Sequence, residues 1–213
     1  AEEDELSPWI DKKAAAGSAG TDSFFAERPA LSWTTGTKRC MIIRVDFSDL
    51  PGAPMTETAI SNVFNGTSGV KIHQQNSFGA TSAELTPATS DDSPDVTQVF
   101  RLPKTADYYA TGDRNGELHN DARSAATTAG YNLASFDRIG VVFAWLGNIT
   151  NSQINYGGLG EIEGKNYWIN GSGNFDLRVV SHEIGHNYGL PHAGRQRVNS
   201  GSSAVAENGT WEE

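Results

Sequence analysis

The sequence contains little cysteine, little basic charge and no long apolar run. Its single cysteine, Cys40, excludes an intramolecular disulfide framework, a cysteine-based structural zinc site and a CxxC redox pair. No stretch approaches the roughly 18 consecutive apolar residues of a membrane span, so we expect no membrane partner. Twenty-six acidic residues against sixteen basic ones give a net charge of -10, which disfavours nucleic acid and anionic surfaces as partners.

The apolar residues that are present predict an α/β fold. Dense β-branched segments at residues 40–47 and 136–146 predict buried strands. Strands and helices then alternate along the chain, which indicates a layered domain with a mostly parallel sheet. The remaining predicted elements are strands at residues 73–78, 81–85 and 96–102, and helices at residues 56–64, 116–129 and 175–188.

The chain divides into two parts by composition. Residues 1–37 combine an acidic start with a stretch of small residues, which predicts a flexible N-terminal extension or the remnant of a propeptide. Residues 38–213 are predicted to form one folded domain. The chain starts at Ala1 without a leader, which is consistent with a secreted protein whose signal peptide has been removed and equally with a trimmed cytosolic protein.

The last predicted helix has histidines at a spacing typical of metal ligands. His182 and His186 are four residues apart, so both imidazoles project from one face of the helix. Gly189 permits the positive φ of a sharp turn, after which His192 can return to supply a third nitrogen. Three neutral imidazoles leave a fourth position open, which is the arrangement of a catalytic zinc ion.

Glu183 follows the first histidine and lies about 100° further round the helix. It is therefore a poor third ligand but a suitable general base toward a zinc-activated water, which predicts peptide hydrolysis without a covalent intermediate. Several alternatives remain open: a solvated histidine cluster, a metal-free or inactive homologue, a non-catalytic binding module with a structural zinc, and a zinc hydrolase of non-peptide amides or cell-wall peptides.

These residues resemble the long zinc-binding signature of the metzincin metallopeptidases, H-E-x-x-H-x-x-G-x-x-H. Residues 43–49, 77–79 and 102–103, with Tyr108 and Tyr109, are similar to gametolysin-type peptidases and to the related immune inhibitor A-like enzymes. A histidine as third ligand favours the gametolysin side. The likeness covers about residues 39–192.

The resemblance implies a fold, a reaction and a substrate surface. It implies a zincin-like domain whose mostly parallel sheet has an antiparallel edge strand and packs against the active-site helix. It also implies a secreted zinc endopeptidase that binds a protein or peptide substrate. Residues 158–163 correspond to the edge strand, where a substrate would pair with the main chain of Gly158, Leu159 and Gly160.

One feature of metzincins is missing from the sequence. They carry a methionine turn after the third histidine, whereas both methionines, Met41 and Met55, lie far upstream. Residues 199–210 read as an unfinished Gly/Ser loop, so we expect a chain cut short of that turn.

The remaining candidate residues are expected to have structural roles. Cys40 is predicted to be a buried structural cysteine rather than a latency thiolate. His73 and His119 are predicted to be surface or core polar residues rather than ligands. Residues 113–117 resemble a calcium loop only faintly, and a helix-initiating turn is favoured there.

Overall fold

The computed structural model describes residues 34–66, 80–85, 95–112, 114–192, 195–198 and 209–212. Its strands are β1 (Gly36–Asp46), β2 (Thr81–Glu84), β3 (Val96–Arg101), β4 (Arg138–Phe143), β5 (Gly158–Gly160), β6 (Asn166–Asn170), β7 (Arg195–Val198) and β8 (Gly209–Glu212). Its helices are α1 (Glu57–Asn65), α2 (Ala106–Ala110), α3 (Asn115–Thr128) and α4 (Leu177–Asn187), with short 3-10 turns at Leu133–Ser135 and Ser172–Asn174.

Six of the strands form one sheet in the order β2-β1-β4-β6-β5, and β3 pairs with β1 on the same side as β2. All the pairs are parallel except β5 with β6, which is antiparallel. This arrangement confirms the predicted α/β fold with a mostly parallel sheet and an antiparallel edge strand. The strand β1 is buried over most of its length because helices cover both faces of the sheet.

The alternation of side chains along β1 divides the core into two layers. Met41, Ile43 and Val45 pack with residues of α2 and α3, whereas Cys40 and Ile42 pack with residues of α1 and α4. The side chain of Cys40 is completely buried, and burial raises the pKa of its thiol to about 12. The prediction of a buried structural cysteine is therefore confirmed.

Two predicted strands are shorter in the structure. The strand expected over residues 136–146 ends at Phe143, and beyond it the N–H of Leu146 donates to the side chain of Asn170 instead of to a backbone carbonyl of the neighbouring strand. Trp145, which belongs to the segment predicted to be a buried strand, is 36% exposed. The edge strand expected over residues 158–163 ends at Gly160, and a turn follows it.

Other predictions differ in detail or fall outside the described residues. The short helix α2 was not predicted, and residues 209–212, expected in part to be loop, form a strand paired with β7. The predicted strand at residues 73–78, His73 and Asp113 lie outside the described residues. Within the described part of the chain, no helix combines the length and apolar content needed to cross a membrane.

His119 is a buried residue of α3, in agreement with the prediction of a core polar role. Only 7% of it is exposed, and burial, with the nearby charge of Arg123, lowers the pKa of its imidazole to about 4. The folded protein therefore holds this side chain in its neutral form over most of the accessible pH range.

We expect His119 to make the protein less stable in mild acid. Its pKa in the unfolded chain is about 6.5, so the unfolded state takes up a proton first as the pH falls. The free energy of unfolding should decrease between pH 6.5 and pH 4, by about 2 to 3 kcal/mol at pH 4.5. Urea unfolding of the wild type and His119→Gln, each at pH 7 and pH 4.5, measures this; an equal loss in both proteins would contradict it.

Candidate metal centre

The helix α4 carries His182, Glu183 and His186 of the candidate site and begins at a side-chain cap. Asp176, predicted to lie in the first turn, is instead the N-cap residue, and its carboxylate accepts a hydrogen bond of 2.8 Å from the N–H of Val179. Val180 and Ile184 are completely buried against the sheet. That packing fixes the rotation of the helix and therefore the direction in which the histidines project.

The chain reverses direction sharply at the end of α4. Gly189 has a φ of 91°, a conformation that favours glycine. The N–H of Gly189 donates to the carbonyl of His186 at 2.8 Å, and the N–H of Leu190 donates to the carbonyl of Gly185 at 3.1 Å. These two bonds form a Schellman motif, which brings His192 back beside the helix as the sequence predicted.

The structure brings the three predicted histidines to one point. The Nε2 atom of His182 lies 3.1 Å from that of His186 and 3.2 Å from that of His192. Three nitrogens bound tetrahedrally to zinc at about 2.0–2.1 Å would be roughly 3.3 Å apart. Two of the three pairs of imidazole nitrogens therefore already have nearly the spacing that a zinc ion requires, and all three nitrogens lie within 4.8 Å of one another.

A backbone carbonyl determines which nitrogen of His186 can bind a metal. Its Nδ1 atom lies 2.7 Å from the carbonyl oxygen of Leu190, which can only accept a hydrogen bond. Nδ1 must therefore carry the proton, and Nε2 presents its lone pair toward the other two histidines. Burial lowers the pKa of His186, which favours the neutral form that binds metals.

Glu183 is buried between α4 and the edge strand β5. Only 4% of it is exposed, and its Oε1 atom would lie 2.6 Å from a Cβ atom added to Gly158. A Cβ atom added to Gly160 would lie 2.5 Å from the carbonyl oxygen of Glu183. Gly160 is thus required by the close approach of the α4 backbone, and Gly158 leaves room for the side chain of Glu183.

Leu159, between these glycines, faces the opposite side of the sheet and is buried in the core. Among the three predicted residues of the edge strand, none therefore presents an exposed side chain.

The three histidines lie at the surface rather than in a deep cavity. His182 is exposed, His192 is half-buried and His186 is buried. An open crevice of about 400 Å³ lies elsewhere, beyond the carboxyl ends of β1, β4 and β6, and contains none of the predicted site residues. Its lining comprises residues 50–54, Ala144, Trp145 and residues 171–174.

Sequence reasoning missed two groups that support the site. The carbonyl of Leu190 gave no signal because a backbone acceptor is present at every position. Asn187 is completely buried and bonds to the turn after β5, although an asparagine in the last turn of a helix usually indicates only a helix end.

The fold and the site define a class of protein. A mostly parallel sheet with an antiparallel edge strand, packed on a helix whose histidines converge with a third one, is the arrangement of a zincin-like metalloprotein. The family model of metallo-peptidase family M12 matches residues 54–211, about three-quarters of the chain. The chain belongs to metallo-peptidase family M12. A comparison with curated proteins finds no match.

The family match supports a metallopeptidase and does not confirm the finer likeness to gametolysin-type or immune inhibitor A-like enzymes. Membership of a peptidase family implies a protein or peptide as substrate. The family and the histidine group together indicate a bound metal ion.

We expect Gly160→Ala to destabilise the domain by about 1 to 3 kcal/mol, because the new methyl group would overlap the backbone of α4. Gly116→Ala in α3 is the matched control, since a Cβ atom there meets nothing within 4 Å. The control should be neutral or stabilised by up to about 1 kcal/mol. Chemical denaturation measures both, and equal stabilities would show that the strand and helix can separate without cost.

Proposed function

We propose that this protein is a secreted zinc endopeptidase of the metzincin type. The observation that carries the proposal is the convergence of three imidazole nitrogens, 3.1 and 3.2 Å apart, beside a buried carboxylate and an edge strand. His182, His186 and His192 would hold the zinc ion. An exposed site with three protein ligands is typical of catalytic zinc, whereas structural zinc usually has four.

Zinc held by three neutral imidazoles would act as a Lewis acid and make a water molecule acidic near neutral pH. Glu183 is one residue from the first histidine, and its carboxylate lies against Gly158. We assign it the role of general base, which takes a proton from the attacking water and later passes it to the departing amine. Its burial would strengthen this transfer by excluding competing water.

The edge strand β5 would bind the substrate through its main chain. It lies at the end of the described sheet and pairs there only with β6. Its glycines point toward α4 and Leu159 points into the core, so only the backbone groups of β5 are available for pairing. Such pairing would hold an extended peptide with little dependence on its side chains.

Replacing Glu183 tests the proposal. Glu183→Ala should keep about one zinc per chain but lose about 10²- to 10⁴-fold in kcat on a fluorogenic casein substrate, because the proton acceptor is gone. Elemental analysis and the casein assay measure the two quantities. Glu84→Gln, a half-buried glutamate in β2, controls for loss of a carboxylate away from the site.

Other outcomes would favour the alternatives. Absence of bound zinc in the wild type would contradict the proposed centre. Bound zinc with no peptidase activity in the wild type, together with unfolding of His186→Ala, would favour a non-catalytic module stabilised by zinc. Activity on cell-wall peptides but not on casein would favour the other class of zinc hydrolase.

A further inference from the structure

The side chain of Asn187, at the end of α4, links this helix to the β5–β6 hairpin, which comprises residues 158–170. Asn187 is completely buried, and its amide nitrogen donates to two backbone carbonyls, those of Glu161 at 2.9 Å and Asn166 at 3.0 Å. One of these residues directly follows β5 and the other begins β6. A single side chain therefore holds both arms of the hairpin where they meet the turn.

The backbone of the preceding residue makes a second link to the same turn. The carbonyl of His186 accepts a hydrogen bond of 3.0 Å from the N–H of Glu163 and another of 2.8 Å from the N–H of Gly189. Carbonyls in the last turn of a helix have no partner within the helix, so this one can accept a hydrogen bond from the hairpin as well as from Gly189. The residue that carries the metal-binding imidazole is thus itself bonded to the hairpin.

These links act across the closest contact of the site. Gly158 and Gly160 touch Glu183 so closely that neither has room for a Cβ atom. Steric contact prevents the strand from moving closer to the helix but does not prevent it from moving away. The hydrogen bonds donated by the Asn187 side chain and accepted by the His186 carbonyl resist separation of the hairpin from α4, which the steric contact does not prevent.

We propose that Asn187 is a positioning residue that fixes the distance between the edge strand and the three histidines. The inference rests on the proposed function, in which a peptide pairs with β5 while its scissile carbonyl lies at the metal. Asparagine suits the task because its amide nitrogen offers two donors, whereas aspartate of the same shape offers none when ionised. A displacement of about 1 Å at such a site can reduce the rate by about 100-fold.

Hydrogen exchange of the zinc-loaded protein tests the restraint without reference to activity. In Asn187→Asp, the amides of residues 158–166 should exchange at least about ten-fold faster than in the wild type, while those of β4 should not change. Asn170→Asp is the matched control, because Asn170 is equally buried and also donates to two carbonyls, those of Ile154 and Tyr156. Its effect should be concentrated in residues 146–156.

Exchange that is unchanged in the hairpin, or equally faster throughout the domain, would overturn the proposal. If Asn187→Asp does not fold, Asn187→Gln keeps the amide on a chain one methylene longer and is expected to loosen the same segment. For Asn187→Gln too, faster exchange confined to the hairpin would support the proposal, and unchanged or uniformly faster exchange would overturn it.

Substrate length provides a second test. For a peptide long enough to pair with β5, kcat/KM of Asn187→Asp should fall at least about ten-fold more than for a blocked dipeptide that cannot reach the strand. Equal losses on both substrates would indicate a general structural effect and overturn the positioning role. A wild type that cleaves neither substrate would refute the proposed peptidase, and hydrogen exchange alone would then decide whether Asn187 restrains the hairpin.

Discussion

The contact between Glu183 of α4 and the glycines of β5 is the constraint on which the candidate site depends. A helix and a strand usually pack through side chains at both surfaces, but here the Cβ positions of Gly158 and Gly160 are occupied by atoms of Glu183. The contact places the backbone of β5 directly beside the carboxylate of Glu183 and the Cβ atom of His186. The edge strand and the helix that carries two of the candidate ligands are thereby held within contact distance.

The convergence of the histidines depends on two further features of the chain reversal after α4. Gly189 adopts a positive φ that ends the helix, and the loop that follows returns the carbonyl of Leu190 to the ring of His186. The residues of this chain reversal thus place His192 beside the helix and hold the proton of His186 on its Nδ1 atom. With this chain reversal, the Nε2 atom of His182 lies within 3.1 and 3.2 Å of those of His186 and His192, close to the spacing of ligands in a tetrahedral zinc site.

Much of this architecture follows from local pattern. The β-branched run in β1, the apolar stripe of α4 and the alternation of strands and helices predicted the fold class, because each is a short-range consequence of burial on one face or two. Strand ends were less well predicted. β4 ends early, and beyond its end the side chain of Asn170, 24 residues away, bonds to the chain at Leu146.

The sequence by itself determined which histidines come together and how two of them lie on the helix, since a spacing of four residues and a glycine turn act over one or two helical turns. It also determined that Cys40 is buried, because a small apolar residue within a β-branched run has no other environment. Only the tertiary structure shows that Gly158 and Gly160 lie against Glu183 and that Asn187 is buried. Both depend on which strand packs against α4, and that choice is made by contacts between residues that are far apart in the chain.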